Sequence, residues 1–197
     1  MSDVTEVYAQ SNPHPVRLVV TDDLRRNRLT VFFRLLLAIP HFIWLAIWAI
    51  GAVVAVVVAW FAALFIGRVP DGLHNFVAGL VRYQTHVYAY FSIAANPYPG
   101  FTGAPGYPVD VEVAPAGPQS RLTVLFRIVL AIPAYIVAYV LGIVAQLVMI
   151  LAWFYALFAG TQAKGLEDVL TYWLRYQAQT LAYLGLLTSR YPSFSDE

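Results

Sequence analysis

The chain is one membrane-grade unit written twice. Residues 15–101 align on residues 108–194 without a gap, at a constant offset of 93, and 33 of the 87 aligned positions are identical. Arg28, Leu29, Thr30 and Val31 recur as Arg121, Leu122, Thr123 and Val124. Phe33, Arg34, Leu37, Ala38, Ile39 and Pro40 recur as Phe126, Arg127, Leu130, Ala131, Ile132 and Pro133. Trp60 and Phe61 match Trp153 and Phe154, and Arg82, Tyr83 and Gln84 match Arg175, Tyr176 and Gln177. A duplication of this kind predicts two halves related by pseudo-symmetry, with any binding function between them.

Each copy carries a long run without a charged side chain, 33 residues at 35–67 and 36 at 128–163. Either run exceeds the ~20 apolar residues that span a bilayer. Only 12% of the chain is charged and 60% is hydrophobic, against roughly 25% charged in soluble domains. A soluble fold is therefore excluded as the expectation. The net charge of +1 gives no reason to expect nucleic acid. The absence of cysteine removes disulfides and thiolate metal sites. Eleven of the twelve basic residues are Arg, which a high-GC bacterial genome explains without any function. The first twelve residues include Asp3 and Glu6 and have neither a basic nor an apolar leader segment. The apolar runs themselves are thus expected to direct insertion.

The segmentation is a polar tail (1–13), membrane repeat 1 (14–101), a linker (102–107), membrane repeat 2 (108–194) and a short tail (195–197). Val16, Leu18 and Val20 alternate, as do Val109, Val111 and Val113. This predicts one short strand per repeat, paired across a pseudo-twofold axis so that backbone groups are satisfied. Asn27 and Ser120 are suited to cap helices starting near 28 and 121. Pro40 and Pro133 should kink or break those helices. Each apolar run then forms either one kinked transmembrane helix or a helical hairpin turning near Ala49–Gly51 and Leu141–Gly142. The hairpin is favoured because it puts all twelve Lys and Arg on one side of the membrane, whereas single spans leave four outside. After each run comes an amphipathic helix, 73–91 and 166–187, with the pattern of a helix lying in the membrane interface. The fold class is mainly α, integral to a membrane, with two tandem repeats.

Arg34 and Arg127 sit one turn inside the apolar runs, where a long side chain reaches toward lipid headgroups. With Arg82 and Arg175 they form a two-fold set of candidate headgroup contacts. Pro40, Pro133, Trp60, Trp153, Tyr83 and Tyr176 are the repeat's structural residues. The four histidines lack histidine at their aligned positions, and no spacing suggests a metal site. No phosphate loop, nucleophile elbow or zincin helix occurs, so no catalytic residue and no cofactor is expected.

The repeated Arg-Leu-Thr-Val, Phe-Arg, Leu-Ala-Ile-Pro and Trp-Phe blocks, the Arg-Tyr helix and the closing Tyr-Pro-x-Phe (98–101 and 191–194) resemble a bacterial membrane family known as domain of unknown function 4389. The resemblance covers about nine-tenths of the chain, and the tandem form is similar to actinobacterial members. It implies fold and location only, a multi-pass protein of the bacterial inner membrane; the one-sided arginines of the hairpin arrangement separately put both termini in the cytoplasm. Three function classes remain. The partners expected are membrane lipids and either a larger membrane complex or further copies of the chain in a homo-oligomer; the first function class is a non-catalytic accessory or scaffold subunit of a larger membrane complex. A second is an anionic-lipid-binding or lipid-handling protein that uses the paired arginines. The third is a small transporter or channel at the repeat interface, disfavoured because no Asp, Glu, Lys or Arg lies within the runs. A lipid-sized apolar groove rimmed by Arg34, Arg127, Arg82 and Arg175 would favour the second.

Overall fold

A computed structural model describes residues 14–195. The polar tail read at 1–13 lies outside the described residues. Each repeat runs strand, short helix, long helix, medium helix. The first comprises β1 (Val16–Val20), α1 (Arg28–Phe32), α2 (Arg34–Ile66) and α3 (Asp71–Phe91). The second comprises β2 (Val109–Val113), α4 (Arg121–Leu125), α5 (Arg127–Ala159) and α6 (Lys164–Leu184).

The two strands form an antiparallel ribbon in which Leu18 pairs with Val111. These two residues are repeat equivalents, so the pseudo-twofold axis passes between them. Val16 and Val111, buried on the ribbon's inner side, sit on Val77, Ala78 and Val81 of α3 and on Ala178 and Ala182 of α6. On the outer side Arg17 bonds Glu112 at 2.7 Å, both side chains 57% exposed. Helices α3 and α6 run antiparallel below the ribbon. Val77 approaches Gly185, and the Tyr88 ring lies 5.9 Å from that of Trp173. Helices α2 and α5 form a third layer beneath them.

The long helices pack through small residues. Arg34, Ala38, His41, Leu45, Ala52, Ala55, Ala59 and Ala63 form one buried stripe along α2 at the 3- and 4-residue steps of a helix face. Ala131, Ala134, Ala145, Ala152 and Ala156 do the same on α5. Opposite them Leu36, Ile39, Ile43, Ile47, Ile50, Val54, Val57, Phe61 and Phe65 are exposed, as are their counterparts on α5. Both helices are long and apolar enough to cross a membrane, and only 22% and 17% of their most apolar windows are buried. They are not the enclosed core helices of a soluble domain.

Four expectations are corrected here. The hairpin turns do not form, since α2 and α5 run unbroken through 49–51 and 141–142. The glycines read as turns are packing points: a Cβ on Gly51 would touch the Phe76 ring at 3.5 Å, and one on Gly142 the Trp173 indole at 3.5 Å. The break also does not fall at Pro40 or Pro133, which lie inside the helices. It falls at Phe33 and Phe126, where the chain leaves helical geometry for one residue and turns the next, an arginine, inward. The N-cap reading holds at Asn27, whose side chain accepts from the Leu29 and Thr30 amides. Ser120 makes no such bond. The amphipathic helices form, but their polar residues do not all face outward, since His74, Thr85 and His86 of α3 are buried.

The repeats interlock. The Arg26 amide donates to the Gly160 carbonyl at 3.0 Å, and its counterpart Gln119 donates to Gly67 at 2.9 Å. Both acceptor glycines end a long helix in the left-handed conformation, φ 82° and 74°, which a side chain would oppose.

Candidate functional site

Four of the six arginines common to both copies terminate helices. The last carbonyls of a helix lack intrahelical donors and carry the negative end of its dipole, so a cation there is doubly favoured. Arg28 donates to the Phe158 carbonyl at the end of α5 (2.9 Å), and Arg121 to Phe65 at the end of α2 (3.1 Å). Each of these crosses from one repeat to the other. Arg34 closes α3, donating through Nη1 to the Tyr90 and Ala95 carbonyls at 2.9 and 3.0 Å. Arg127 closes α6 through Tyr183 and Thr188 at 3.1 and 2.7 Å. Their guanidinium groups lie over the Tyr90 and Tyr183 rings, 4.3 and 4.2 Å from the centres. Arg34 and Arg127 are both 2% exposed. The headgroup-facing position expected for this pair is therefore corrected. A helix terminus lies within reach inside the protein, and its carbonyls take the Nη1 donor of each arginine.

The other structural residues act in the same seams. The Trp60 indole donates to the Val124 carbonyl at 2.9 Å and Trp153 to Val31 at 3.0 Å, each tying a long helix to the other repeat's short one. Tyr83 and Tyr176 are buried. The Tyr83 hydroxyl bonds His41 Nδ1 at 2.8 Å, while Tyr176 stacks on Phe194 at 5.2 Å. His41 also stacks on Phe101 at 4.5 Å. Arg82 and Arg175 are only half-buried. Arg82 donates through Nε to the Val111 carbonyl at 3.1 Å, and Arg175 to the Phe194 carbonyl at 2.9 Å.

Between the long helices lie two apolar grooves, matched residue for residue by the pseudo-symmetry. One, of about 350 Å³, is walled by Arg34, Leu35, Phe91 and Ile93 from repeat 1 and by Met149, Ile150, Trp153 and Phe154 from repeat 2. The other, of about 310 Å³, is walled by the eight counterparts, among them Arg127, Val57, Trp60 and Phe61. Arg82 and Arg175 do not rim these grooves. Arg175 instead borders a polar recess on the ribbon side, about 470 Å³, together with Lys164, Asp168 and Tyr172.

A second cluster breaks the symmetry. His86 Nε2 bonds Asp110 Oδ1 at 2.8 Å, and Arg82 Nε stands 3.6 Å from the same oxygen. Tyr107 stacks on the imidazole at 4.6 Å, and the Gly106 and Val111 amides donate to the carboxylate. Burial alone would raise the Asp110 pKa, but the bonds from His86, Gly106 and Val111 outweigh it and hold it below the ordinary value. Sequence reasoning missed this cluster because the aligned residues are Gln179 and Arg17, so nothing repeated marks it. Among the described residues no three His, Asp or Glu side chains converge as for a metal ion.

The fold and these seams define a class: a tandem-repeat, mainly helical protein with two membrane-grade helices, locked together by arginines at helix ends. The chain belongs to the family described as Domain of unknown function (DUF4389), whose model matches it twice, at residues 28–102 and 121–196. No curated protein and no solved structure matches it.

Proposed function

We propose that the protein is a non-catalytic membrane module embedded in one leaflet of the bacterial inner membrane, where it serves a larger assembly as an accessory or scaffold subunit. The observation that carries this reading is the opposition of two faces. The outward stripes of α2 and α5 are apolar along their whole length, while the ribbon two layers away carries the exposed Arg17–Glu112 pair. The ribbon packs near the middle of α3 and α6. If those helices crossed the bilayer, this ion pair would lie at mid-membrane, where each charge costs about 2.5–3.5 kcal/mol. With the helices parallel to the membrane plane, the ribbon meets water and the apolar stripes meet lipid. A layer one helix thick, about 10 Å, fits within one leaflet of a hydrocarbon core about 30 Å across. In-plane α2 and α5 also need no match between about 50 Å of helix and that thickness. Beyond their first residues, Arg34 and Arg127, neither long helix holds a basic residue. All basic groups then fall on one side, which the positive-inside rule makes cytoplasmic.

The chain has no native cysteine, which makes the test direct. Asp23→Cys and Asp71→Cys flank α2, and Glu112→Cys marks the ribbon. All three should react with an impermeant thiol reagent from the cytoplasmic side only. Reaction of Asp23→Cys and Asp71→Cys from opposite sides would overturn the in-plane reading. The accessory role predicts a stoichiometric protein partner on purification in mild detergent, and a homo-oligomer without one removes it. The paired apolar grooves favour a second reading, lipid binding.

A further inference from the structure

We infer that each of the two apolar grooves holds one acyl chain of a membrane glycerolipid, with the ester carbonyl at the chain's head accepting from the Nε–H of Arg34 in one groove and of Arg127 in the other. Three observations converge on this. The grooves have the size of a small ligand site. Their walls are aliphatic and aromatic apart from one arginine each. An occupant must therefore be apolar over most of its length.

The arginine supplies the second observation. In both side chains Nη1 is committed to two carbonyls, yet Nε is buried and has no partner among the described residues. An unsatisfied N–H in a buried cation is costly, and such groups normally find an acceptor. An apolar molecule carrying one oxygen acceptor near its end satisfies both the walls and the nitrogen. A glycerolipid acyl ester has that build.

Third, the same unpaired nitrogen recurs, 93 residues apart, on the arginine that lines each groove. Sequence on the walls has diverged in the meantime: Leu35, Phe91, Ile93, Met149 and Ile150 face Ile128, Leu184, Leu186, Val56 and Val57. Apolar character and groove volume survive these exchanges, while the arginine, the tryptophan and the phenylalanine beside it are unchanged. The choice of glycerolipid rests on the one-leaflet reading, since these grooves lie between the helices that face the acyl chains.

The test is native mass spectrometry of the full chain purified in mild detergent. Two diacyl lipids should be retained per chain. Ile150→Trp should remove one, Val57→Trp the other, and the double variant both. A parent that retains no lipid, or a double variant that retains as many as the parent, overturns the proposal. Retained free fatty acid in place of diacyl lipid overturns the glycerolipid assignment. Should the variants not fold, the parent itself gives the answer by photo-crosslinking in detergent with two equivalents of a phospholipid carrying a diazirine acyl chain. Adducts confined to 149–154 and 56–61 support the grooves, and adducts spread along the whole exposed stripes of α2 and α5 refute them. Lipid retention in detergent does not depend on topology, so failure here leaves the cysteine result standing, and the reverse also holds.

Discussion

Replacing the buried arginines by methionine tests the account of the seams most severely, because it keeps the stem and removes the charge. Arg127→Met loses the charge-assisted bonds to the Tyr183 and Thr188 carbonyls and the stacking on Tyr183. It also strips the Gln119 side-chain oxygen of its donor. Bonds to a charged group contribute about 1.5–3 kcal/mol each, and the stacking about 1 kcal/mol. These terms overlap, and breaking one partner of a buried charged network costs about 3–5 kcal/mol, so about 4 kcal/mol is expected here. For a chain of this size that lowers the melting midpoint by about 8–16 °C. Arg34→Met should cost about 1 kcal/mol less. Arg26, the counterpart of Gln119, donates to the neighbouring Ile93 and Ala94 carbonyls, and its charge is only partly balanced by the buried Asp22 carboxylate at 2.6 Å, so removing Arg34 relieves a residual like-charge repulsion. Thermal melting in mild detergent, followed by tryptophan fluorescence, reads both, with Arg17→Met as the exposed control. If both buried variants melt within about 2 °C of the parent, or if Arg34→Met is the worse of the two, the helix-end reasoning is wrong.

Gly103→Ala should destabilise by about 1–3 kcal/mol, whereas Gly106→Ala should cost less. Gly103 has φ 63° and a Cβ there would stand 2.6 Å from the Gly79 carbonyl oxygen; Gly106 also has positive φ but open space around it. Equilibrium unfolding of the two variants separates crowding from backbone conformation. Asp110 has a depressed folded-state pKa, so its contribution is full above the ordinary carboxylate value and disappears as pH falls through the folded one. Melting temperature should therefore drop on acidification below about pH 4. Asp110→Asn should be less stable at neutral pH and show a shallower acid limb, and an unchanged limb would refute the assignment.

The strands and their pairing were legible from the alternation in two aligned segments, whereas the register, with Leu18 opposite Val111, is set by the packing of the ribbon on α3 and α6. The amphipathic helices were legible from their 3.6-residue period. Arginine burial was not. One turn inside an apolar run, Arg34 looks the same whether it reaches for phosphate or for the end of α3, and only the packing of α3 against α2 decides. The uninterrupted course of α2 was hidden for a related reason. A glycine such as Gly51 serves a turn or a close helix contact equally well, and Phe76, which settles the matter, lies 25 residues away. The cross-repeat bonds of Trp60 and Trp153 were invisible because a repeated tryptophan does not say which copy it touches. His86 and Asp110 stayed hidden because the duplication draws attention to what is shared.

The exchange of contacts across the ribbon also bears on ancestry. A single copy standing alone would have an unpaired strand edge and a long helix whose last carbonyls lack their arginine, since Arg121 of one copy closes the helix of the other. Two such copies meeting about a twofold axis would satisfy every one of these groups reciprocally, because the interface is isologous. The tandem chain is then a dimer made covalent by residues 102–107. Fusion freed its halves to differ, and the His86–Asp110 pair is a departure that no symmetric dimer could have made on one side alone.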